Sequence, residues 1–117
     1  MEGLPNYLRE ERPWGSFERF TLNEPTTVKI VRVKGGEAIS LQTHAHRDEF
    51  WRIIAGSGVV TIDGTEHPAE PGNEFLTRRG STHRVAAGEE GLTFLEIALG
   101  EFDEADIKRI EDKYGRT

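Results

Sequence analysis

The sequence contains no cysteine, so neither disulfides nor thiol chemistry can contribute to its stability or activity. It also lacks any apolar run of about 18 residues, the length that a membrane-spanning helix needs. The first fifteen residues, MEGLPNYLREERPWG, have neither the apolar core nor the small-residue cleavage site of a signal peptide. We therefore expect no membrane contact and a cytoplasmic location.

Basic charge is scarce as well. Lys and Arg number 15 against 21 Asp and Glu, which gives a net charge of −6. Nucleic-acid binding needs a basic surface and is therefore not expected. A small anion is still compatible with this composition, because several arginines lie near the candidate site residues and can create a local positive pocket. These are Arg47, Arg52, Arg78, Arg79 and Arg84.

The distribution of apolar residues predicts an all-β fold. Thirteen glycines and five prolines separate short runs that alternate or are rich in β-branched residues. Such a pattern is typical of a sandwich or barrel, in which closure also removes exposed strand edges. We predict strands over residues 16–22, 27–34, 38–46, 49–55, 59–62, 65–67, 74–77, 83–86 and 92–99.

The chain length, 117 residues, corresponds to one compact domain over residues 1–117. We expect residues 1–15 to form an irregular arm, in which Trp14 buries its ring on the barrel or on a partner chain. Residues 16–100 are expected to form the barrel. Residues 103–113 predict one short amphipathic helix, with acidic residues in the first turn and Ile107 and Ile110 three apart.

The stretch G-EAISL-QTHAHRDEFWRIIA-G contains the most informative pattern. Gln42, His44 and His46 alternate, so on a strand they project to the same face. Glu49 follows shortly after, and a second stretch adds His83 from a distant part of the chain. Each residue alone has an ordinary explanation as a core or surface group. Together, imidazole, carboxylate and amide donors predict a site for one divalent cation.

Both stretches resemble the two motifs of the cupin superfamily, which folds as a small jelly-roll barrel. The first motif is G, five residues, HxH, three or four residues, E, six residues, G; the spacing fits when Gln42 takes the first His position. The second motif is G, five residues, PxG, two residues, H, and it ends here at His83. The resemblance implies that the metal ligands are Gln42, His44, Glu49 and His83, with His46 at the pocket mouth.

A narrower resemblance covers nearly the whole chain. SLQTHAHRDEFW resembles the SLQxHxHRxEHW signature of type II mannose-6-phosphate isomerases, the C-terminal domain of bifunctional guanylyltransferase/isomerases. RPWG and DIKRIEDKYGR are similar to that family's flanking RPWGxY and DDIVRxEDxYGR motifs. The resemblance implies metal-dependent interconversion of mannose 6-phosphate and fructose 6-phosphate through a cis-enediolate. The sequence departs from the pattern at Phe50, usually His, at Arg78, usually Pro, and in the absence of a guanylyltransferase domain.

The same resemblance implies an essential arginine at Arg47, which suits either the substrate phosphate or the developing oxyanion. Three residues are candidates for the general base. His46 ranks first because it alternates with the ligands and can titrate near neutral pH. Lys29 occupies a lysine position of the family pattern on a neighbouring strand. Glu96 lies in the apolar run LTFLEIAL, where desolvation can raise its pKa.

The resemblance therefore implies one divalent metal ion per chain, a small anionic sugar-phosphate substrate and a homodimer. Zinc is the first choice, and cobalt, nickel, manganese and iron are compatible with the donors. Two other functions stay open. One is a sugar- or nucleotide-sugar-binding module without turnover that partners a separate guanylyltransferase. The other is an iron- or manganese-dependent oxygenase, which Gln42 at the first ligand position disfavours.

Overall fold

Nine β-strands make up the regular structure of residues 3–116, which the computed structural model describes, and no α-helix occurs among those residues. The all-β prediction is confirmed. Met1 and Glu2 of the predicted arm, and Thr117, lie outside the described residues. The strands are β1 (Leu8–Arg12), β2 (Gly15–Arg19), β3 (Thr26–Val33), β4 (Leu41–Thr43), β5 (Arg47–Ile62), β6 (Thr65–Ala69), β7 (Glu74–Thr77), β8 (His83–Gly100) and β9 (Lys108–Glu111).

The two long strands, β5 and β8, organise the barrel. They pair antiparallel along their whole length, and each also binds shorter strands at both of its ends. β3 pairs with residues 92–99 of β8, whereas β4 pairs with His83 at the other end. β7 pairs with residues 49–52 of β5, and β6 pairs with residues 58–62. Because different partners occupy the two halves, the sheet folds over on itself and encloses an interior.

The sequence predicts each long strand as two short ones, separated at glycines. In the structure the strands continue through these glycines, with register shifts near residues 53–58 of β5. Gly56 has a φ of +82°, and a Cβ at this position would lie 2.1 Å from the carbonyl oxygen of Gly91. The glycines therefore allow the two backbones to approach closely where the sheet bends, instead of ending the strands.

Two apolar clusters lie on opposite faces of the sheet. The larger one fills the barrel interior and includes Trp51, Ile53, Val60, Val85, Leu92 and Phe94. The smaller one contains Leu4, Phe50 and Ile97, so the N-terminal segment covers part of the outer face. Phe50 therefore packs away from the predicted metal ligands, and its departure from the family pattern does not alter them directly.

The predicted helix over residues 103–113 is wrong. Lys108–Glu111 form β9, which pairs antiparallel with β4 and has a bulge between Leu41 and Gln42. The backbone groups of β4 offer hydrogen bonds along the edge that does not face β8, and residues 108–111 satisfy them. Two isoleucines three residues apart match a helical period, but that local pattern carries no information about an available strand edge.

The N-terminal region is more regular than predicted. β1 and β2 form a separate two-stranded hairpin, and the expected first barrel strand ends at Arg19. Trp14 lies at the hairpin turn and is 73% exposed, so its ring does not pack on the barrel of its own chain. The expected alternative, contact with a partner chain, stays a prediction.

Gly56→Ala is expected to destabilise the fold much more than Gly64→Ala. Both glycines have a φ of +82°, but the Cβ site at Gly64 has no atom within 4 Å. The left-handed backbone should cost about 1–2 kcal/mol at either position, and overpacking should add about 1–3 kcal/mol at Gly56. Urea unfolding of both variants measures the difference. Equal losses would show that the contact with Gly91 is unimportant.

Candidate metal centre

The barrel interior brings the predicted ligands together at one end of β4, β5 and β8. Gln42 on β4 lies directly opposite His83, the first residue of β8. His44 follows β4, and Glu49 is the third residue of β5. His44, Glu49 and His83 are at most 3% exposed, and one potential donor atom of each lies within 4.8 Å of the others.

The protonation of His44 follows from its partners. Its Nδ1 lies 2.6 Å from the carbonyl oxygen of Asp106, which can only accept, so Nδ1 carries the proton. Its Nε2 lies 3.4 Å from Oε2 of Glu49 and 3.4 Å from Nη2 of Arg47. The Asp106 carbonyl orients the ring, as backbone carbonyls do in metal-bound histidines.

His83 presents a similar arrangement to the other carboxylate oxygen. Its Nε2 lies 3.7 Å from Oε1 of Glu49, which has no hydrogen-bond partner among the described residues. Burial lowers the pKa of His83 to about 4, although the Glu49 carboxylate opposes this effect. The ring is therefore neutral at pH 7, the form of imidazole that binds metals.

Gln42 completes the donor set through its side-chain amide. Its Nε2 lies 3.3 Å from Nε2 of His83, and its Oε1 accepts a hydrogen bond of 2.8 Å from the Ser40 hydroxyl. Rotating the amide by 180° directs the oxygen to the cluster, and the Ser40 hydroxyl can then accept from the amide nitrogen. Gln42 is thus able to contribute an oxygen donor without losing its second partner.

The donor spacing fits one divalent ion. Ligands about 2.1 Å from a tetrahedral zinc lie about 3.4 Å from one another. Nε2 of His44 and Nε2 of His83 lie 3.4 and 3.7 Å from the two oxygens of Glu49, and the donor atoms of the three residues lie within 4.8 Å of one another. The buried acceptor-rich set therefore fits a metal ion, which Gln42, His44, Glu49 and His83 would hold. This ligand assignment is still a prediction.

Arg47 is the counter-charge of the buried carboxylate. Its Nε donates a hydrogen bond of 2.8 Å to Oε2 of Glu49, and its Nη1 donates one of 3.1 Å to the carbonyl oxygen of Asp103. The guanidinium also lies 4.4 Å from the centre of the Phe102 ring. Arg47 is only 6% exposed, so its guanidinium group makes its contacts within the chain.

The three candidate bases occupy different environments. Glu96 lies beside Glu49, and burial followed by the negative charge of Glu49 raises the pKa of Glu96 to about 7. Lys29 is paired with Glu96 across β3 and β8, and its ammonium contacts Glu104 at 3.1 Å. His46 is exposed. Among the three candidates, Glu96 is the one that contacts a predicted ligand.

Residues 101–107, which we call the strap, cross over the cluster. Sequence reasoning assigned part of this segment to a helix and missed its role. The Asp106 carboxylate accepts hydrogen bonds of 2.8 and 2.9 Å from the backbone amides of Ala45 and His46, and Phe102 lies over both Arg47 and Lys29. The similarity of DIKRIEDKYGR to the family's C-terminal motif was a signal for this region, but it did not indicate where the segment lies.

The chain folds as a barrel of antiparallel strands with histidine and glutamate side chains in its interior. The fold is similar to that of a cupin protein from Bacteroides fragilis, with a TM-score of 0.60 and 21% identity over 73% of this chain and 76% of that one. The chain belongs to the mannose-6-phosphate isomerase C-terminal family, whose model matches residues 4–112. No helix within residues 3–116 is long and apolar enough to cross a membrane.

Two curated relatives are longer proteins. Mannose-1-phosphate guanylyltransferase ManC of Salmonella typhimurium is 36% identical over 91% of this chain and 22% of its own length. The alginate biosynthesis protein AlgA of Pseudomonas aeruginosa is 36% identical over 96% of this chain and 24% of its own length. The chain thus spans about a quarter of the relatives that it matches.

Asp106→Ala is expected to weaken metal binding about 10- to 100-fold, because the carboxylate holds the turn that carries His44. Isothermal titration of the metal-free protein with zinc measures the affinity. His83→Ala, which removes a donor itself, provides the reference for ligand loss. Asp112→Ala is the matched control, since this carboxylate in the same terminal segment bonds to Arg116 instead. Wild-type affinity in Asp106→Ala would contradict the role of the strap.

Proposed function

We propose that the chain is a metal-dependent aldose–ketose isomerase that interconverts mannose 6-phosphate and fructose 6-phosphate in nucleotide-sugar metabolism. The observation that carries the proposal is the buried cluster of His44, Glu49 and His83 with Arg47, in a chain of the mannose-6-phosphate isomerase C-terminal family. The names of the relatives, a mannose-1-phosphate guanylyltransferase and an alginate biosynthesis protein, support a role in polysaccharide precursor synthesis.

The reaction moves a proton between C1 and C2 through an enediolate. A divalent ion held by Gln42, His44, Glu49 and His83 would supply positive charge that polarises the carbonyl and stabilises the enediolate. We infer that Glu96 is the base, in preference to His46, because its carboxyl is buried against Glu49 while His46 is exposed. A carboxyl group near pKa 7 can both accept and return a proton at neutral pH.

In this proposal Arg47 interacts with two negative charges, the Glu49 carboxylate and the developing oxyanion of the substrate. Its ion pair with Glu49 orients the carboxylate, and its Nη groups lie under the strap, next to Phe102. The site residues are buried, so the strap has to shift before a sugar phosphate can enter. When it does, the Nη1 group released from the Asp103 carbonyl becomes a donor for the developing oxyanion.

The alternative is a sugar-phosphate- or nucleotide-sugar-binding module without turnover, which accompanies a separate guanylyltransferase. Two relatives named mannose-1-phosphate guanylyltransferase, from Salmonella typhimurium and Escherichia coli, support an association with that activity. The guanidinium of Arg47 already makes hydrogen bonds within the chain, which is also compatible with a module that binds a sugar phosphate without turnover.

Arg47→Ala is expected to lower isomerase turnover at least about 100-fold, the usual loss when one donor to a transition-state oxyanion is removed. A coupled assay of protein reloaded with zinc, cobalt or manganese follows fructose 6-phosphate formation. Arg12→Ala, which changes an exposed hairpin arginine, is the control. If the wild-type protein binds mannose 6-phosphate but shows no turnover with any of the three metals, the binding module is the better description.

Glu96→Gln is expected to reduce kcat about 100- to 10,000-fold, because the amide keeps the size of the side chain but cannot transfer the proton. His46→Gln serves as the matched variant, since His46 was the first candidate from the sequence. Metal content by elemental analysis should stay at the wild-type level in both. A large loss in His46→Gln with an active Glu96→Gln would reverse the assignment.

We also propose that the protein is a cytoplasmic homodimer. Trp14 is exposed at the hairpin turn, and Val28 and Ile30 are exposed on β3, which pairs only with β8 among the described residues. Apolar side chains next to an open strand edge favour association with a second copy. Trp14→Ser is expected to shift the mass by light scattering from dimer to monomer. A monomeric wild-type protein would contradict the proposal.

A further inference from the structure

We propose that Arg109 binds the phosphate group of the substrate. The inference rests on the proposed function in one respect, namely that the ligand is a sugar phosphate. It concerns a residue of β9 that lay in the predicted helix and had no role in the candidate site. Three observations support it: the position of Arg109 in the sheet, its lack of a partner, and the commitment of the neighbouring arginines.

Arg109 continues a row of site residues across three neighbouring strands. His83 on β8 lies opposite Gln42 on β4, and Gln42 lies opposite Arg109 on β9. Residues directly opposite in antiparallel strands project to the same face, with Cβ atoms about 4.5–5.5 Å apart. The contact between Gln42 and His83 identifies this face as the interior one. Arg109 therefore projects to the same face, one strand beyond a predicted metal ligand.

The guanidinium of Arg109 is not satisfied by the protein. Its Nε is buried without a hydrogen-bond partner, and within residues 3–116 the side chain forms no ion pair. The residue as a whole is half-buried, which places it between solvent and the interior. A guanidinium is always charged and donates only, so a buried N–H of this kind requires an acceptor. An anion satisfies both the charge and the donor.

The other arginines near the site already have carboxylate partners. Arg47 pairs with Glu49, Arg52 with Glu18 and Glu74, Arg78 and Arg79 with Asp48, and Arg84 with Glu111. The sequence predicted a positive pocket from these five arginines, but each of them is paired with a carboxylate that neutralises its charge. Binding a substrate phosphate at any of them would first break an ion pair. Arg109 carries no such cost.

The distance along the sheet also suits a phosphate. Adjacent strands are about 4.8 Å apart, so Arg109 lies one strand away from the predicted metal ligands. In a six-carbon sugar 6-phosphate, the phosphate is at the opposite end from C1 and C2. With the reacting carbons at the cluster, the far end points towards β9. The planar fork of Arg109 can then make paired, charge-assisted hydrogen bonds to two phosphate oxygens.

The test compares Arg109→Gln with Arg32→Gln by isothermal titration of the zinc-loaded full chain. Arg32 is the matched control, because it is exposed on β3 and forms no ion pair within residues 3–116. We expect Arg109→Gln to weaken binding of mannose 6-phosphate and of inorganic phosphate at least about tenfold, and to leave binding of mannose unchanged. In the coupled assay, KM should rise by a similar factor while kcat changes little.

Arg109→Lys provides a second variant that keeps the charge but lacks the fork, and its affinity should be intermediate. Equal affinity of wild type and Arg109→Gln for mannose 6-phosphate would overturn the inference, as would a wild-type protein that binds neither phosphate ligand. These measurements distinguish a failure of the isomerase proposal from a failure of the proposal for Arg109. Tight binding without turnover contradicts the isomerase alone, and turnover with an unchanged KM in Arg109→Gln contradicts the role of Arg109 alone.

Discussion

The buried carboxylate of Glu49 is the constraint on which the rest of the site depends. A charge that is almost fully removed from water needs compensation from its surroundings. Arg47, two residues earlier on the same strand, supplies one positive charge through a hydrogen bond to Oε2. Nε2 of His44 lies 3.4 Å from Oε2, and Nε2 of His83 lies 3.7 Å from Oε1. Together the imidazole and carboxylate groups form a buried cluster of the donor types that bind a divalent cation.

The same constraint explains the neighbouring carboxyl. Two buried carboxylates in contact cannot both be ionised without a large electrostatic penalty, and Glu96 is the one whose pKa is raised to about 7. The two acidic side chains therefore lie in different environments. Glu49 accepts a hydrogen bond from Arg47, whereas burial and the charge of Glu49 raise the pKa of Glu96. Such a difference in environment can give two carboxyl groups different roles.

The C-terminal part of the chain completes a site that the barrel begins. The strap orients His44 through Asp106 and covers Arg47 with Phe102. β9 then extends the sheet and places Arg109 beside Gln42. Donor residues and positioning residues thus come from segments far apart in the chain. All of these residues lie within the region that the family model matches, so the module contains the whole candidate site.

The sequence by itself determined the all-β class, because alternate residues of a strand share a face. Its resemblance to the cupin motifs predicts Gln42, His44, Glu49 and His83 as metal donors. Only the tertiary structure decided which side chains meet. The strand over residues 108–111 depends on a free edge of β4, the contact between Glu96 and Glu49 depends on the pairing of β5 with β8, and the position of Arg109 depends on its register with Gln42. These contacts join residues far apart in sequence, whose relative position no local pattern specifies.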